Sequence, residues 1–301
     1  MMKKLLFVPM FIMVLLLTAC TSLNKTTTNN EDMIVYESET GPILVPASPK
    51  RVVVLSSFNA GSVMALGVNI VGADMWTMAN PRYAPYLQNA IEVSEDDLET
   101  ILELEPDLII AQPTTNNLNR LKEIAPTVTF TYGRFDYLTT HIEMGKLLNK
   151  EQEARAWVED FRKRAQEAGQ DIKTKIGETA TVTVIESFSK QLYVFGDNWG
   201  RGTEILYQEM QLKMPEKVEE VALTAGYYAL SVEVLPEYVG DYLIISNDGD
   251  DSYFKGTSIY QDLPAVKNNR VLEVNAAEFY FNDPITLEYQ LELFIKFFLG
   301  E

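Results

Sequence analysis

Runs of apolar, largely β-branched residues recur along the chain. They are Arg51-Val52-Val53-Val54-Leu55, Asp107-Leu108-Ile109-Ile110-Ala111, Thr127-Val128-Thr129-Phe130, Thr181-Val182-Thr183-Val184-Ile185, Tyr242-Leu243-Ile244-Ile245 and Arg270-Val271-Leu272-Glu273-Val274. Several are continuous rather than alternating, which suits strands covered on both faces in a parallel sheet flanked by helices. Segments between them, such as Ala60 to Leu66 and Leu98 to Leu104, predict helices. The class expected is α/β.

One segment departs from this rhythm. From Glu151 to Ile176 there is no Pro, and Gly169 is the only Gly. Ala154, Trp157, Val158, Phe161, Ala165, Ala168, Ile172 and Ile176 fall three or four apart, giving one apolar face. The spacing predicts a helix of about 26 residues, roughly 39 Å long, with Gly177 as its stop signal. An ordinary surface helix would satisfy the pattern, and so would a rigid strut between two lobes.

A repeat favours the strut. Leu98-Glu99-Thr100-Ile101-Leu102-Glu103-Leu104-Glu105-Pro106-Asp107-Leu108-Ile109-Ile110 parallels Val232-Glu233-Val234-Leu235-Pro236-Glu237-Tyr238-Val239-Gly240-Asp241-Tyr242-Leu243-Ile244. In each, a Glu opens a short helix and an Asp eight residues on opens a buried strand. One copy stands on each side of the long helix. The expected architecture is two Rossmann-like lobes, residues 36–149 and 178–301, joined by a helix over 150–177, with a ligand cleft between the lobes.

The N-terminus changes the picture of where the protein works. Lys3 and Lys4 precede an apolar run from Leu5 to Leu17, and Leu17-Thr18-Ala19-Cys20 follows. A basic start, an apolar segment and a small-residue site read as an export signal over 1–19. The run is too short for a comfortable membrane span. Cys20 is the only cysteine, so it forms no internal disulfide. The site resembles a bacterial lipoprotein box, in which Cys20 is lipidated and becomes the mature N-terminus; a plain secretory signal is the simpler alternative. Residues 20–35, polar and rich in Thr and Asn, read as a flexible tether. The remaining residues, about 265, favour two lobes, with one large domain as the alternative. The formal charge of −18 disfavours nucleic acid, and it leaves membrane attachment to the lipid.

Candidate chemistry concentrates in VFGDNWGRG, Val194 to Gly202, where Trp199 and Arg201 stand among three glycines. Glycine lets a backbone turn sharply or approach something closely. From the residues alone, Trp199 reads equally as a core side chain, and Arg201 as a surface ion pair. Beyond this stretch the chain resembles the helix-linked substrate-binding lipoproteins of bacterial iron-uptake ABC transporters. The resemblance rests on Pro49-Lys50-Arg51-Val52-Val53-Val54, Ala65-Leu66-Gly67-Val68, Glu105-Pro106-Asp107-Leu108-Ile109-Ile110, Ile124-Ala125-Pro126-Thr127-Val128, the Gly145 to Ala154 entry to the strut, and Phe281-Asn282-Asp283-Pro284. Tyr193 to Arg201, reading YVFGDNWGR, is most similar to the ferric-hydroxamate-binding proteins of Gram-positive bacteria.

The resemblance implies a monomer that binds an Fe(III)-siderophore complex and delivers it to a permease dimer with a cytoplasmic ATPase. No cofactor is implied, and no protein group ligates the iron. It implies a cleft lined by Trp199, Arg201 and Tyr193 from the second lobe, with Tyr132 opposite and Tyr280 where the family often has Trp. At least one of Phe279 and Phe281 is expected in the core. Trp76, Met78, Arg82 and Tyr83 are open between cleft, core and surface. Glu99 and Glu233 are implied as the surface carboxylates that dock on arginines of the permease, although acids at helix N-termini are ordinary.

Charge bears on the ligand. Ferric catecholates and citrate-type chelates are anionic and call for several cations, because an unpaired buried charge is costly. One Arg among aromatics suits neutral or weakly cationic ferric hydroxamates. Haem, cobalamin or another iron chelate is the rival within the class; haem would require Tyr ligation. His141, the only histidine, is expected on a helix surface rather than as a base, so no Ser-His-Asp set and no His/Cys metal site can be assembled. A secreted hydrolase using paired carboxylates and a purely structural surface protein are the readings from other classes.

Overall fold

The computed structural model describes residues 32–247, 249 and 253–300. The expected signal peptide, Cys20 and most of the tether lie outside them. The tether was expected to reach residue 35, but the chain is already in a strand at Met33. A hairpin of β1 (Met33–Ser38) and β2 (Gly41–Pro46) opens the fold. It turns one side, with Tyr36 and Val45, into the first core.

The first lobe is built on β3 (Val52–Val54), β4 (Ile70–Ala73), β5 (Ile91–Glu92), β6 (Leu108–Ala111) and β7 (Thr127–Thr129), in the order β5-β4-β3-β6-β7 and all parallel. Its continuous apolar strands are covered on both faces. Val52, Val54, Leu108 and Ile110 pack with Ala60, Val63 and Met64 of the helix Ser57–Ala65. Val53 and Ile109 point the other way, onto Ile101 and Leu121. Successive side chains alternate across a strand, so an all-apolar run needs two cores.

The second lobe follows the same scheme with one change. Its strands β8 (Val182–Phe188), β9 (Gln191–Phe195), β10 (Tyr227–Leu230), β11 (Tyr242–Asn247) and β12 (Val271–Asn275) run in the order β10-β9-β8-β11-β12. β8, β11 and β12 pair in parallel, and β9 alone runs the other way, antiparallel to both its neighbours. The β8–β9 turn is made by Ser189 and Lys190, with φ of 51° and 62°. Two central residues at positive φ match the twist of a tight hairpin.

The repeat has a structural role in each lobe. Asp107 accepts hydrogen bonds from the backbone N–H groups of Lys50 and Arg51 at 2.6 and 3.0 Å, fixing the entry to β3. Asp241 accepts from the backbone N–H of Thr181 at 2.9 Å, beside the start of β8. The helix before Asp107 is an α-helix, Leu98–Glu103. Its counterpart, Val232–Glu237, tightens to a 3₁₀ turn around Pro236.

The strut is the 26-residue helix Glu151–Ile176. Ala154 belongs to the first core, while Val158, Phe161, Ala165, Ala168 and Ile172 belong to the second. The chain also crosses between lobes a second time. Phe279 lies in the second core and Phe281 in the first, with Tyr280 between them. Residues 178–301 are therefore not the property of the second lobe alone. Asp283 caps the final helix, Pro284–Leu299, accepting from Ile285 N and Thr286 N, with Pro284 at its first position. The same carboxylate accepts from the hydroxyl of Tyr83 in the first lobe.

His141 is buried, contrary to the surface position expected. It lies in the helix Tyr137–Leu147, edge-on to Trp157 of the strut at 5.1 Å. Burial holds its pKa down to about 4, against about 6.5 in an unfolded chain. As the pH falls from about 6.5 to 4, the unfolded chain takes a proton that the folded one excludes, and about 3 kcal/mol of stability is lost. Melting curves through this window should show the loss, and His141→Phe should remove it. Burial raises the carboxyls of Glu204 and Asp283, which act in the opposite sense. The difference between parent and variant is therefore the quantity to follow.

Candidate functional site

A cleft of about 880 Å³ opens between the lobes. The first lobe meets it with the carboxyl ends of its parallel strands, where open α/β sheets present ligand groups. Ser56, Ser57 and Phe58 follow β3, Asp74 and Trp76 follow β4, Ser94 and Glu95 follow β5, and Gln112, Thr114 and Thr115 follow β6. The second lobe supplies Glu186, Phe188, Tyr193 and Phe195 from the β8–β9 hairpin, Tyr227 from β10, and the turn bearing Trp199 and Arg201. Tyr280 and Phe281 enter from the crossing. One wall is polar and acidic, the other largely aromatic.

Four of the five expected cleft residues, Trp199, Arg201, Tyr193 and Tyr280, thus share one wall. Tyr132 stands elsewhere. It is 41% exposed, lies 4.5 Å from Phe58 and 5.5 Å edge-on from Trp199, and lines a second cavity of about 420 Å³ behind that pair. Burial and the nearby Glu204 carboxylate push its hydroxyl pKa up to about 12. Of the residues left open, Trp76 faces the cleft, edge-on to Tyr280 at 5.8 Å. Arg82 instead pairs with Glu278 at 2.7 Å, and Tyr83 is fully buried. Both Phe279 and Phe281 are core.

The turn after β9 explains its glycines. Gly200, Arg201 and Gly202 have φ of 70°, 60° and 80°, three consecutive left-handed residues. Gly200 also lies where a Cβ would come 2.3 Å from the Tyr280 carbonyl oxygen. The Arg201 N–H donates to the Phe279 carbonyl at 2.7 Å. Glu204, 2% exposed, accepts from Gly200 N at 2.9 Å, Asn282 Nδ2 at 2.8 Å and Thr203 Oγ1 at 3.2 Å. Turn and crossing are thereby laced together, and the glycines serve the protein's own packing while they present Trp199 and Arg201 to the cleft.

Arg201 does not offer its whole guanidinium to the cleft. Its Nε and Nη2 donate to Glu186 at 3.0 and 2.8 Å, and Nη1 donates to the Trp199 carbonyl at 3.1 Å. Of five N–H donors, two remain. Glu186 also accepts from Ser246 Oγ at 2.8 Å, and its side chain is 3% exposed. Glu186 is the residue the sequence concealed. A single acid at the end of an apolar strand was its one signal. Phe58, Trp76 and Tyr227 were likewise unmarked as a set, although Phe58 and Trp76 could have been sought beyond strand ends. Among the described residues, no group of three or more His, Cys, Asp or Glu side chains could hold a metal ion.

Two α/β lobes around a cleft of this size, tied by a helix that enters both cores, define a binding protein that takes a small molecule between its lobes. The chain belongs to the periplasmic binding protein family, which it matches over residues 52–277. It is 34% identical over 268 residues to the iron(3+)-hydroxamate-binding protein FhuD of Bacillus subtilis, across 87% of this chain and 85% of that one. It is 33% identical to the iron(3+)-hydroxamate-binding protein YxeB of the same organism, across 97% and 95%. Among solved structures, FhuD of S. pseudintermedius matches with a TM-score of 0.80 at 33% identity, over 89% of this chain and 99% of that one. FhuD2 of Staphylococcus aureus with bound ferrioxamine B matches at 0.79 and 31%, over 84% and 99%.

Proposed function

We propose that this protein is an extracytoplasmic receptor that binds a ferric siderophore of the hydroxamate type and hands it to an ABC permease for iron uptake. The observation that carries the ligand class is the ion pair at the cleft wall. Arg201, the single cation among the described residues lining the cleft, is already neutralised by Glu186. An anionic catecholate or citrate-type chelate would enter with no surplus positive charge to meet it. A ferric hydroxamate presents planar Fe–O rings with partly negative oxygens and apolar linkers. Two remaining N–H groups of Arg201 suit those oxygens, and Trp199, Tyr193, Tyr227 and Tyr280 suit the linkers. The names of FhuD and YxeB point the same way.

Quenching of intrinsic Trp fluorescence by a panel of ferric chelates tests this. Trp76 and Trp199 both line the cleft, so saturable quenching by hydroxamates is expected. Quenching by catecholates alone would refute the ligand class, and turnover of any ligand would refute a pure receptor.

The transport partners form the finer part of the proposal. Lipid on Cys20 holds the protein at the outer face of the membrane. Glu99 and Glu233 dock on the permease dimer; both are exposed, each in the first turn of its short helix. Glu99→Ala and Glu233→Ala are expected to leave siderophore affinity of the purified protein unchanged and to lower cellular uptake, the double variant most. Weakened binding by the purified variants would place these residues in the fold or the cleft.

A further inference from the structure

The charge of the cleft is not balanced once Arg201 and Glu186 are set against each other. Asp74 and Glu95 remain, both on the polar wall at the ends of β4 and β5. Asp74 accepts from Trp76 N at 2.9 Å, Thr77 N at 3.0 Å and Thr77 Oγ1 at 3.1 Å. Glu95 accepts from Asn116 N at 2.9 Å and from the Asn116 side-chain amide. These partners are neutral donors. Among the described residues neither carboxylate forms an ion pair, whereas Arg82 and Arg134 are paired elsewhere, with Glu278 and Glu39. Both acids are half-buried, where Coulomb interactions are felt more strongly than in bulk water. A protein of formal charge −18 adds a field of the same sign.

We infer that the cleft selects its chelate by charge, with Asp74 and Glu95 receiving a cationic group, such as the terminal primary ammonium of a linear ferric trihydroxamate. This rests on the receptor function proposed above. It adds a division of labour between the walls. The aromatic wall and Arg201 hold the iron-bound part, which hydroxamates share, and the acidic wall distinguishes one hydroxamate from another.

A matched pair of ligands tests it: the ferric complex of a linear trihydroxamate ending in a free primary amine, and the same chelate N-acetylated. The iron centre is identical and one charge differs. Fluorescence titration at low salt is expected to show the amine form binding about tenfold more tightly, with the ratio shrinking as salt screens the attraction. In Asp74→Asn and in Glu95→Gln the ratio should fall by about three- to fivefold. Asp74 caps the short helix Met75–Ala79 and Asn remains a competent cap there, while Gln at 95 can still accept from Asn116 N, so both variants should fold. If both chelates bind the parent equally, or if neither variant alters the ratio, the charge selection is overturned while the receptor function stands. If neither chelate binds, the receptor function is overturned and the charge selection with it.

Discussion

Arg201→Ala is expected to destabilise the unliganded protein by about 3–5 kcal/mol, because it strips the counter-charge from a carboxylate whose side chain is only 3% exposed. Glu186 is enclosed by β9 and β11, and its hydroxyl partner Ser246 is itself buried. Losing the guanidinium leaves Glu186 with that one hydroxyl. At about 2–4 °C per kcal/mol, the melting temperature should fall by roughly 6–20 °C. The double variant Arg201→Ala with Glu186→Gln should recover much of this, since no charge then stays buried. Arg201→Lys should recover less, because an ammonium cannot make the two-pronged contact that Arg201 makes with Glu186. A single variant that melts with the parent would show that Glu186 is reached by water or by another cation. Ligand affinity should fall together with stability, so Arg201 cannot be judged by binding data alone.

Gly200→Ala carries the second large effect. Its φ of 70° costs an L-residue about 1–2 kcal/mol. The added methyl would also sit 2.3 Å from the Tyr280 carbonyl, and overpacking of this kind costs about 1–3 kcal/mol more. Relief by movement is limited, since Arg201 N is bonded to Phe279 O and Gly200 N to Glu204. The turn must then shift against the crossing, carrying Arg201 away from the Tyr280 ring, over which its guanidinium lies at 4.9 Å. Hydroxamate affinity is expected to drop at least tenfold, the equivalent of about 1.4 kcal/mol. Gly133→Ala is the control: its φ is 77°, but a Cβ there meets nothing within 4 Å. It should cost the backbone term alone. Equal melting temperatures for the two variants would show that the contact with Tyr280 carries no energy.

The sequence made some of this legible and hid the rest for physical reasons. Continuous apolar strands and a 3.6-residue period are strong signals, and they marked six of the ten strands in the two sheets, together with the strut; β4, β5, β9 and β10 went unmarked. The antiparallel β9 was hidden because Ser189-Lys190 is an uncommon pair for a turn that demands two positive φ angles. His141 was expected on a surface because a lone histidine carries no sign of what packs on it; Trp157 lies on another helix. VFGDNWGRG drew notice because glycine density reports backbone geometry. Its partner Glu186 is adjacent only through the pairing of β8 with its neighbours, which composition cannot reveal. Phe279 and Phe281 read as one aromatic run, and only the fold divides them between two cores.

That division bears on the order in which the protein is made. Synthesis delivers the first lobe's sheet and the strut well before residue 281 leaves the ribosome. Until then the first core lacks Phe281, and Tyr83 lacks the carboxylate of Asp283. A nascent chain ending at Ile176 has every strand of its first sheet and still an open seat beside it. The last twenty or so residues act as a keystone, so the two lobes become complete together and not in turn.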